Sequence, residues 1–531
     1  MSRQATPKDG ELSFGIEFEF VFYFKAPWAD DDHHDSDAVV LDEDEENCLP
    51  PAVSFPKDIN WTPYNTSEAP ATSNPRVWAG ELIEQAILSV PGARLQGQPI
   101  PRGIDPSYRA MYVASDDDLG NYCGWAVKND ISVSDQGMEI YGHDYVSFEV
   151  NTPALWDRPE SHRHVYLVVQ ELVKRFRLRV NVSTGLHCHV GFGLEDRCKG
   201  LNRSDESDMA EDDEEVEKFD DGCSGEKTDL GILKRVASLL WAADGFLCHV
   251  HPPERALNRY SPPIRLFSRL AYGVQQHTFE NKSGIVVHRE LPLAGTFEEG
   301  SPPGVQPLPE QTLPSHVFPR LSRTFLPALR SNIVDAEAAA RYRTLSATAG
   351  NQVNLSPERL RIQTVYGGVS HIMRCKNHTE VASLLAPTDE GSFNLRQNYN
   401  LTSYLADWPM QSRTVEFRES TGSLSPAWVA AWSGVCLGIF RFARDASPER
   451  FWAVIDRLAQ AESDARSPKG KGHRYDAVSL LIDMGLFAEA TLLERRLMLL
   501  GGGEGGDPVR SWYPCRLVQP MPVGKRFDLL E

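Results

Sequence analysis

The stretch Phe14-Gly15-Ile16-Glu17-Phe18-Glu19-Phe20-Val21-Phe22 narrows what this chain can become more than any other. Aromatic and β-branched residues behind a glycine predict a β-strand. Side chains alternate faces along a strand, so Glu17 and Glu19 share one face and Ile16, Phe18 and Phe20 the other. The apolar face demands a hydrophobic layer against it. The acidic face is either wet, or its carboxylates are paired, protonated or bound to a cation.

The same device recurs twice. Leu186-His187-Cys188-His189-Val190 puts two histidines on one face of a short, glycine-bounded strand. Thr414-Val415-Glu416-Phe417-Arg418 does the same for Glu416 and Arg418. On one shared sheet face these residues would combine carboxylate oxygens suited to Mg²⁺ or Mn²⁺, imidazoles for a softer position and a guanidinium for a phosphoryl group. Two further acids belong with them. Asp130 lies at the polar break, Asn129-Asp130, of a strand predicted over 124–133, and Glu149 shares a strand face with Ser147 and Asn151. Each has a plainer reading. Asn-Asp pairs make turns, an acid on an edge strand keeps that edge solvated, a buried histidine is often a hydrogen-bonded core residue, and Arg418 could simply pair with Glu17 or Glu19.

Five segments, in this order, resemble the amidoligase family, the carboxylate–amine ligases related to glutamine synthetase and γ-glutamylcysteine ligase. They are Gly15-Ile16-Glu17-Phe18-Glu19, then residues 125–132, 148–153, 184–191 and 414–418. Asn400-Leu401 matches an Asn-Leu that the family often places before its Glu-x-Arg strand. The resemblance spans roughly residues 13–440 and leaves out the acidic inserts and the C-terminal tail. It implies an α+β fold: a mostly antiparallel, glutamine-synthetase-like sheet with the site on one face and helices on the other. It implies ATP and Mg²⁺ (or Mn²⁺) as cofactors, with small-molecule or peptide carboxylates and amines as substrates. By the same resemblance Glu17, Glu19, Glu149, His189 and Glu416 are metal ligands. His187, His189 and Arg418 contact nucleotide, and Arg418, Glu416 and Asp130 form the catalytic set. Relatives carry a basic, aromatic segment near the substrate entrance, here the stretch with Arg255, Arg259, Arg265 and Arg269. After Arg418 the family continues with a Gln-His-Glu-Gly-Thr-Leu-like segment. This chain has Glu419-Ser420-Thr421-Gly422-Ser423-Leu424, so the resemblance does not carry a substrate identity across.

Charge is distributed unevenly. The net charge of −20 comes from two runs: residues 30–46 hold ten acids and no Lys or Arg, and residues 205–221 hold eleven acids and one lysine. Without them the chain is balanced, with no basic face for nucleic acid. Acidic inserts near 26–75 and 196–228 are expected to loop out, solvated and dispensable for folding. Nine cysteines with no C-x-x-C pair and a polar N-terminus predict reduced thiols and a cytoplasmic or nuclear setting. No apolar run reaches ~18 residues, so no membrane span is expected.

Periodicity fills in the rest. Helices are predicted over 78–90, 157–177 with Pro159 in the first turn, 230–250, 428–443, 448–462 behind an N-cap at Ser447, 475–484 and 486–499. Two or three more are expected in 327–342 and 356–386. Residues 92–110 and the Pro-rich 292–319 read as irregular, and the glycine run at 501–506 as a linker. The expected domains are 12–445, catalytic, and 446–531, a small helical extension. An ATP-dependent ligase working through an acyl phosphate is the leading reading. A catalytically silent scaffold of the same fold, which the acidic loops would suit, and a zinc hydrolase using the two histidines are its competitors.

Overall fold

The computed structural model describes residues 11–26, 49–56, 74–98, 106–113, 122–134, 140, 142–181, 183–192, 224–251, 255, 260–280, 286–293, 364–387, 397–405, 413–466 and 475–500. The expectations for both acidic runs, for 294–319 and 327–342, and for the glycine run lie outside the described residues.

Strand β1 (Leu12–Phe24) is the axis of the fold. Its thirteen residues outrun any single partner, so each edge is filled by two strands in succession. Along one edge β3 (Asp144–Asn151) covers Glu17 to Phe24, and β4 (Leu155–Trp156) covers Ser13 and Phe14. Along the other, β6 (Leu186–Phe192) covers Leu12 to Phe18, and β5 (Arg177–Arg179) covers Val21 to Tyr23. Beyond them lie β2 (Ala126–Lys128) beside β3, and β10 (Thr414–Phe417) followed by β9 (Tyr399–Asn400) beside β6. The order β2-β3-β1-β6-β10-β9 leaves β2 and β9 as edges of an open sheet whose named ladders are all antiparallel. A separate hairpin pairs β7 (Val274–Glu280) with β8 (Val286–Pro292). The fold is therefore α+β, with the antiparallel sheet expected from the alternation in the first stretch.

One face of the sheet is covered by helices. Phe14, Ile16, Phe18, Phe20 and Phe22 join one large core with α1 (Pro75–Leu88), α2 (Pro159–Arg175), α3 (Ser224–Leu247) and α6 (Pro426–Asp445). Between α3 and α6 in the chain lie α4 (Val365–Arg374) and α5 (His378–Leu385). Helix α6 packs directly on β6 and β1, with Phe440 meeting Phe192 and Phe417. It is the described helix long and apolar enough to cross a membrane, and 83% of that window is buried inside the protein. After α6 come α7 (Pro448–Arg466), α8 (Ala477–Met484) and α9 (Phe487–Leu500). Ser447 accepts from Arg450 N at 3.3 Å, the N-cap that Ser447-Pro448 announces.

The opposite face is open at one end only. From Leu12 to Glu17 burial alternates along β1; from Phe18 onward both faces are buried. Val21 and Tyr23 pack with Val133 and Ile140 in a small second cluster that closes that end. Three sequence expectations need correcting. The insert near 26–75 does not loop out throughout: Phe55 is buried against Phe24 and Trp78, and Lys25 exchanges backbone hydrogen bonds with Val53 and Phe55. The strand predicted over 124–133 is only Ala126–Lys128, because Asp130 accepts from Ser132 N and Oγ, both at 2.7 Å, and turns the chain. Part of the stretch 92–110 is a short helix, Pro106–Met111, which packs on α2.

The core carries one acid-sensitive group well away from the open face. His164 in α2 is fully buried, and its Nε2 accepts from Trp125 Nε1 at 3.2 Å. Burial lowers its pKa to about 4. An unfolded histidine titrates near 6.5, so the neutral ring's contribution is complete above that pH. It is lost as pH falls toward 4, and amounts to about 3 kcal/mol in all. Thermal melts of wild type and His164→Gln from pH 7 to 4 are expected to converge as the wild type loses this contribution. Parallel melting curves would show that His164 does not take up the proton.

Candidate functional site

Register assembles the site. Glu19 stands opposite Glu149. Glu17 stands between Asn151 on β3 and His187 on β6. His189 stands between Gly15 on β1 and Glu416 on β10, and Asn400 on β9 comes next. A one-residue slip in any of these strands would turn its polar set into the core. The apolar faces of the same strands prevent that: Phe18, Cys188 and Phe417 are all buried on the helix side.

Two trios of ligand atoms result, each with all its atoms within 4.8 Å of one another: Glu17, His187 and Glu416, and Glu19, Asp130 and Glu149. In the first, His187 Nδ1 lies 3.0 Å from Glu17 Oε2 and 3.9 Å from Glu416 Oε1. His189 Nε2 lies 3.3 Å from Glu17 Oε1 and 3.9 Å from Glu416 Oε1. The tighter histidine is thus His187, whereas the resemblance puts His189 on the metal. In the second trio Glu149 is also 3.7 Å from the half-exposed Lys128. Asp130 both caps its turn and joins the trio, so its turn role does not take it away from the site face.

Neighbours fix these side chains. Gly185 N donates to Glu19 Oε2 at 2.6 Å, and Asn400 Nδ2 donates to Glu416 Oε2 at 2.7 Å. Residue 185 must be glycine: a Cβ there would sit 2.5 Å from His187 Nε2. Arg418 leaves the end of β10 and donates from Nη1 to Glu416 Oε1 and from Nε to the Tyr260 carbonyl at 3.2 Å. Its backbone N–H donates to Asn398 O at 2.7 Å. Arg255, buried, gathers three consecutive carbonyls of that turn: Arg418 O at 2.8 Å, Ser420 O at 3.1 Å and Glu419 O at 3.4 Å.

The electrostatics favour a positive charge in the first trio and disfavour a full set of ionised carboxylates in the second. Burial works against His189⁺, yet Glu17 and Glu416 outweigh it and raise the ring to about 9. Burial raises Glu19, which His187 only partly offsets, and burial together with the Glu17 charge raises Glu149. Burial opposes ionisation of Glu17 and Glu416 as well, but His189 holds Glu17 well below the usual range, and Arg418 with His189 holds Glu416 at about 2. A divalent ion would take the place of the His189 proton and relieve the crowded carboxylates. Oxygen-rich trios with at most one histidine suit Mg²⁺ or Mn²⁺ better than the nitrogen- and sulfur-rich sets of structural zinc. The residues present therefore fit the ions that the sequence implies.

All the sequence candidates among Glu17, Glu19, Asp130, Glu149, His187, His189, Glu416 and Arg418 come to this face. The arginine-rich segment divides otherwise. Arg265 is buried on Glu462 at 2.7 Å and Arg269 reaches Ser383 O at 3.4 Å, so both serve the core; Arg259 lies outside the described residues. Glu419 points away from the site, accepts from Tyr399 Oη at 2.8 Å and is pushed well above the usual range by burial. The segment after it bridges to the start of β6, with Thr421 against Gly185. The buried clamp Arg255 was not legible in sequence, because no spacing ties it to residues 418–420. Asn151 is the third member of the strand face with Ser147 and Glu149 that the sequence predicts. Comparison of the chain with family models, with curated proteins and with solved structures finds no match.

Proposed function

We propose that the chain is an ATP-dependent carboxylate–amine ligase of the glutamine-synthetase-like, amidoligase type, joining the two substrates through an acyl phosphate. The observation that carries this reading is the pair of acidic trios built around Glu17 and Glu19, with Arg418 beside the first.

Joining a carboxylate to an amine needs an activated acyl group, a defined line of attack and little water. Glu17, His187 and Glu416 would hold one ion, and Glu19, Asp130 and Glu149 a second. Ions so held, when bound, supply charge for the phosphates of ATP. The chain's own part is position and charge. Arg418 presents a guanidinium at the rim of the first trio, where it would neutralise the phosphoryl group in transfer. Glu416, Tyr260 O and the Arg255 clamp fix its direction. Asn400 and Gly185 fix Glu416 and Glu19. The closed end formed by Val21, Tyr23, Val133 and Ile140 keeps water out from one side.

The competing zinc hydrolase would use both histidines with Glu17, on which they converge. The trios of mutually close ligand atoms instead hold one imidazole or none, oxygen-rich sets that suit Mg²⁺ or Mn²⁺. A silent scaffold would not need its carboxylates held by dedicated donors. ADP release from Mg·ATP, screened against paired pools of carboxylates and amines, tests the ligase reading directly.

A further inference from the structure

Asn151 sits where the two trios meet. It is directly opposite Glu17 of the first trio and two residues along β3 from Glu149 of the second, all on the site face. The residue is only 3% exposed. Neither its amide nitrogen nor its amide oxygen has a hydrogen-bond partner of normal geometry. Its side chain is near enough to Glu149 to lower that carboxyl's pKa, without a well-aligned bond. The backbone around it is fixed. Thr152 Oγ1 accepts from Ile16 N at 2.9 Å, and Thr152 N donates to Ile16 O at 2.9 Å.

A buried amide with both ends unmet is unfavourable in a finished core, and native proteins rarely leave one. The same group between two cation-binding trios is a ready donor for an anionic oxygen. We propose that Asn151 is a substrate-contact residue, its amide N–H meeting a carboxylate or phosphoryl oxygen held between the two trios. This rests on the metal reading of the site and goes beyond it, because Asn151 belongs to neither ligand trio. An uncharged amide also does not repel an anion as a carboxylate at this position would. The position is therefore tuned for an anion where its neighbours are tuned for cations.

The test uses the full chain and two variants, Asn151→Leu, close in volume, and Asn151→Ala in case leucine does not fit. Melting without ligand comes first. The variant is expected to melt at or above the wild-type temperature, since an unpaired buried amide is removed. Calorimetric titration with Mn²⁺ alone should give affinities within about twofold of wild type. Titration of the Mn²⁺-loaded protein with inorganic phosphate, and separately with acetate, should show at least one anion bound about tenfold more weakly or worse, the loss of one hydrogen bond to a charged group. Loss confined to phosphate assigns the phosphoryl oxygen, and loss confined to acetate assigns the carboxylate. A variant that melts lower yet binds both anions as wild type does would overturn the proposal and make Asn151 structural. So would a wild type that takes up Mn²⁺ but neither anion. A wild type that takes up no Mn²⁺ removes the metal reading and this inference with it. Weakened anion binding in a protein that never releases ADP would leave Asn151 in its role and end the ligase reading.

Discussion

Arg418→Lys is expected to fold normally and bind Mg·ATP, yet to release ADP on the order of 10²-fold or more slowly, the scale on which one preorganised charge stabiliser acts. Lysine keeps the charge but loses the planar fork that meets two phosphoryl oxygens at once. It also loses the geometry by which Arg418 reaches Glu416 and the Tyr260 carbonyl together. The competing account is an ion pair that merely holds the sheet. The sequence suggested Glu17 or Glu19 as the partner; in the fold it is Glu416. If that pair is only structural, breaking it leaves a buried acid exposed to its full desolvation cost, roughly 3–5 kcal/mol. Melting curves and ADP-release rates measured side by side separate the two. A destabilised variant whose folded fraction turns over at the wild-type rate would remove Arg418 from catalysis.

Glu17→Gln is expected to abolish Mg²⁺-dependent ATP turnover. Glu17 is the residue on which both histidines and the first trio converge, so the amide removes a ligand and the charge that orders its neighbours. From the sequence alone, two acids on an apolar strand imply a site strained without its metal, and hence a metal-free variant that melts no lower than wild type. The structure changes that expectation. His189 is held protonated to about 9, first of all by Glu17, so the metal-free protein already contains an ion pair. A histidine whose folded pKa is raised contributes fully below its unfolded pKa near 6.5, and the contribution fades as pH rises through about 9. Metal-free Glu17→Gln should therefore melt below wild type at pH 7, with the gap narrowing above pH 9. Full Mg²⁺-dependent turnover in this variant would dismantle the first trio as a metal site.

The site was more legible than the fold around it, for a physical reason. Polar i, i+2 pairs on apolar strands leave little freedom. Once Phe18, Cys188 and Phe417 are committed to the core, Glu17, Glu19, His187, His189 and Glu416 must share the other face. Strand order is less constrained by such patterns. Nothing in the residues of β4 and β5, two and three long, distinguishes them from loop, and they exist because β1 is longer than its partners. The hairpin Val274–Glu280 and Val286–Pro292 went unread because its pattern, with Val274 and Phe279 five residues apart and Val286 next to Val287, carries no clean alternation. Asp130 shows a different limit. Its carboxylate accepts from Ser132 and stands in the second trio, so a turn residue and a candidate ligand, which the sequence posed as alternatives, are one side chain. Arg255 acts through three backbone carbonyls, which no residue-type pattern can announce.

The ligase reading stands or falls on one measurement. ADP release from Mg·ATP should be followed with the purified full chain, with carboxylate and amine pools supplied singly and in pairs. The expected result is release that needs Mg²⁺, a carboxylate and an amine together, accompanied by an amide product in equal amount and abolished by a chelator. Chain that binds Mn²⁺ and stays folded, but releases no ADP with any pair, would contradict the account and leave a metal-binding scaffold.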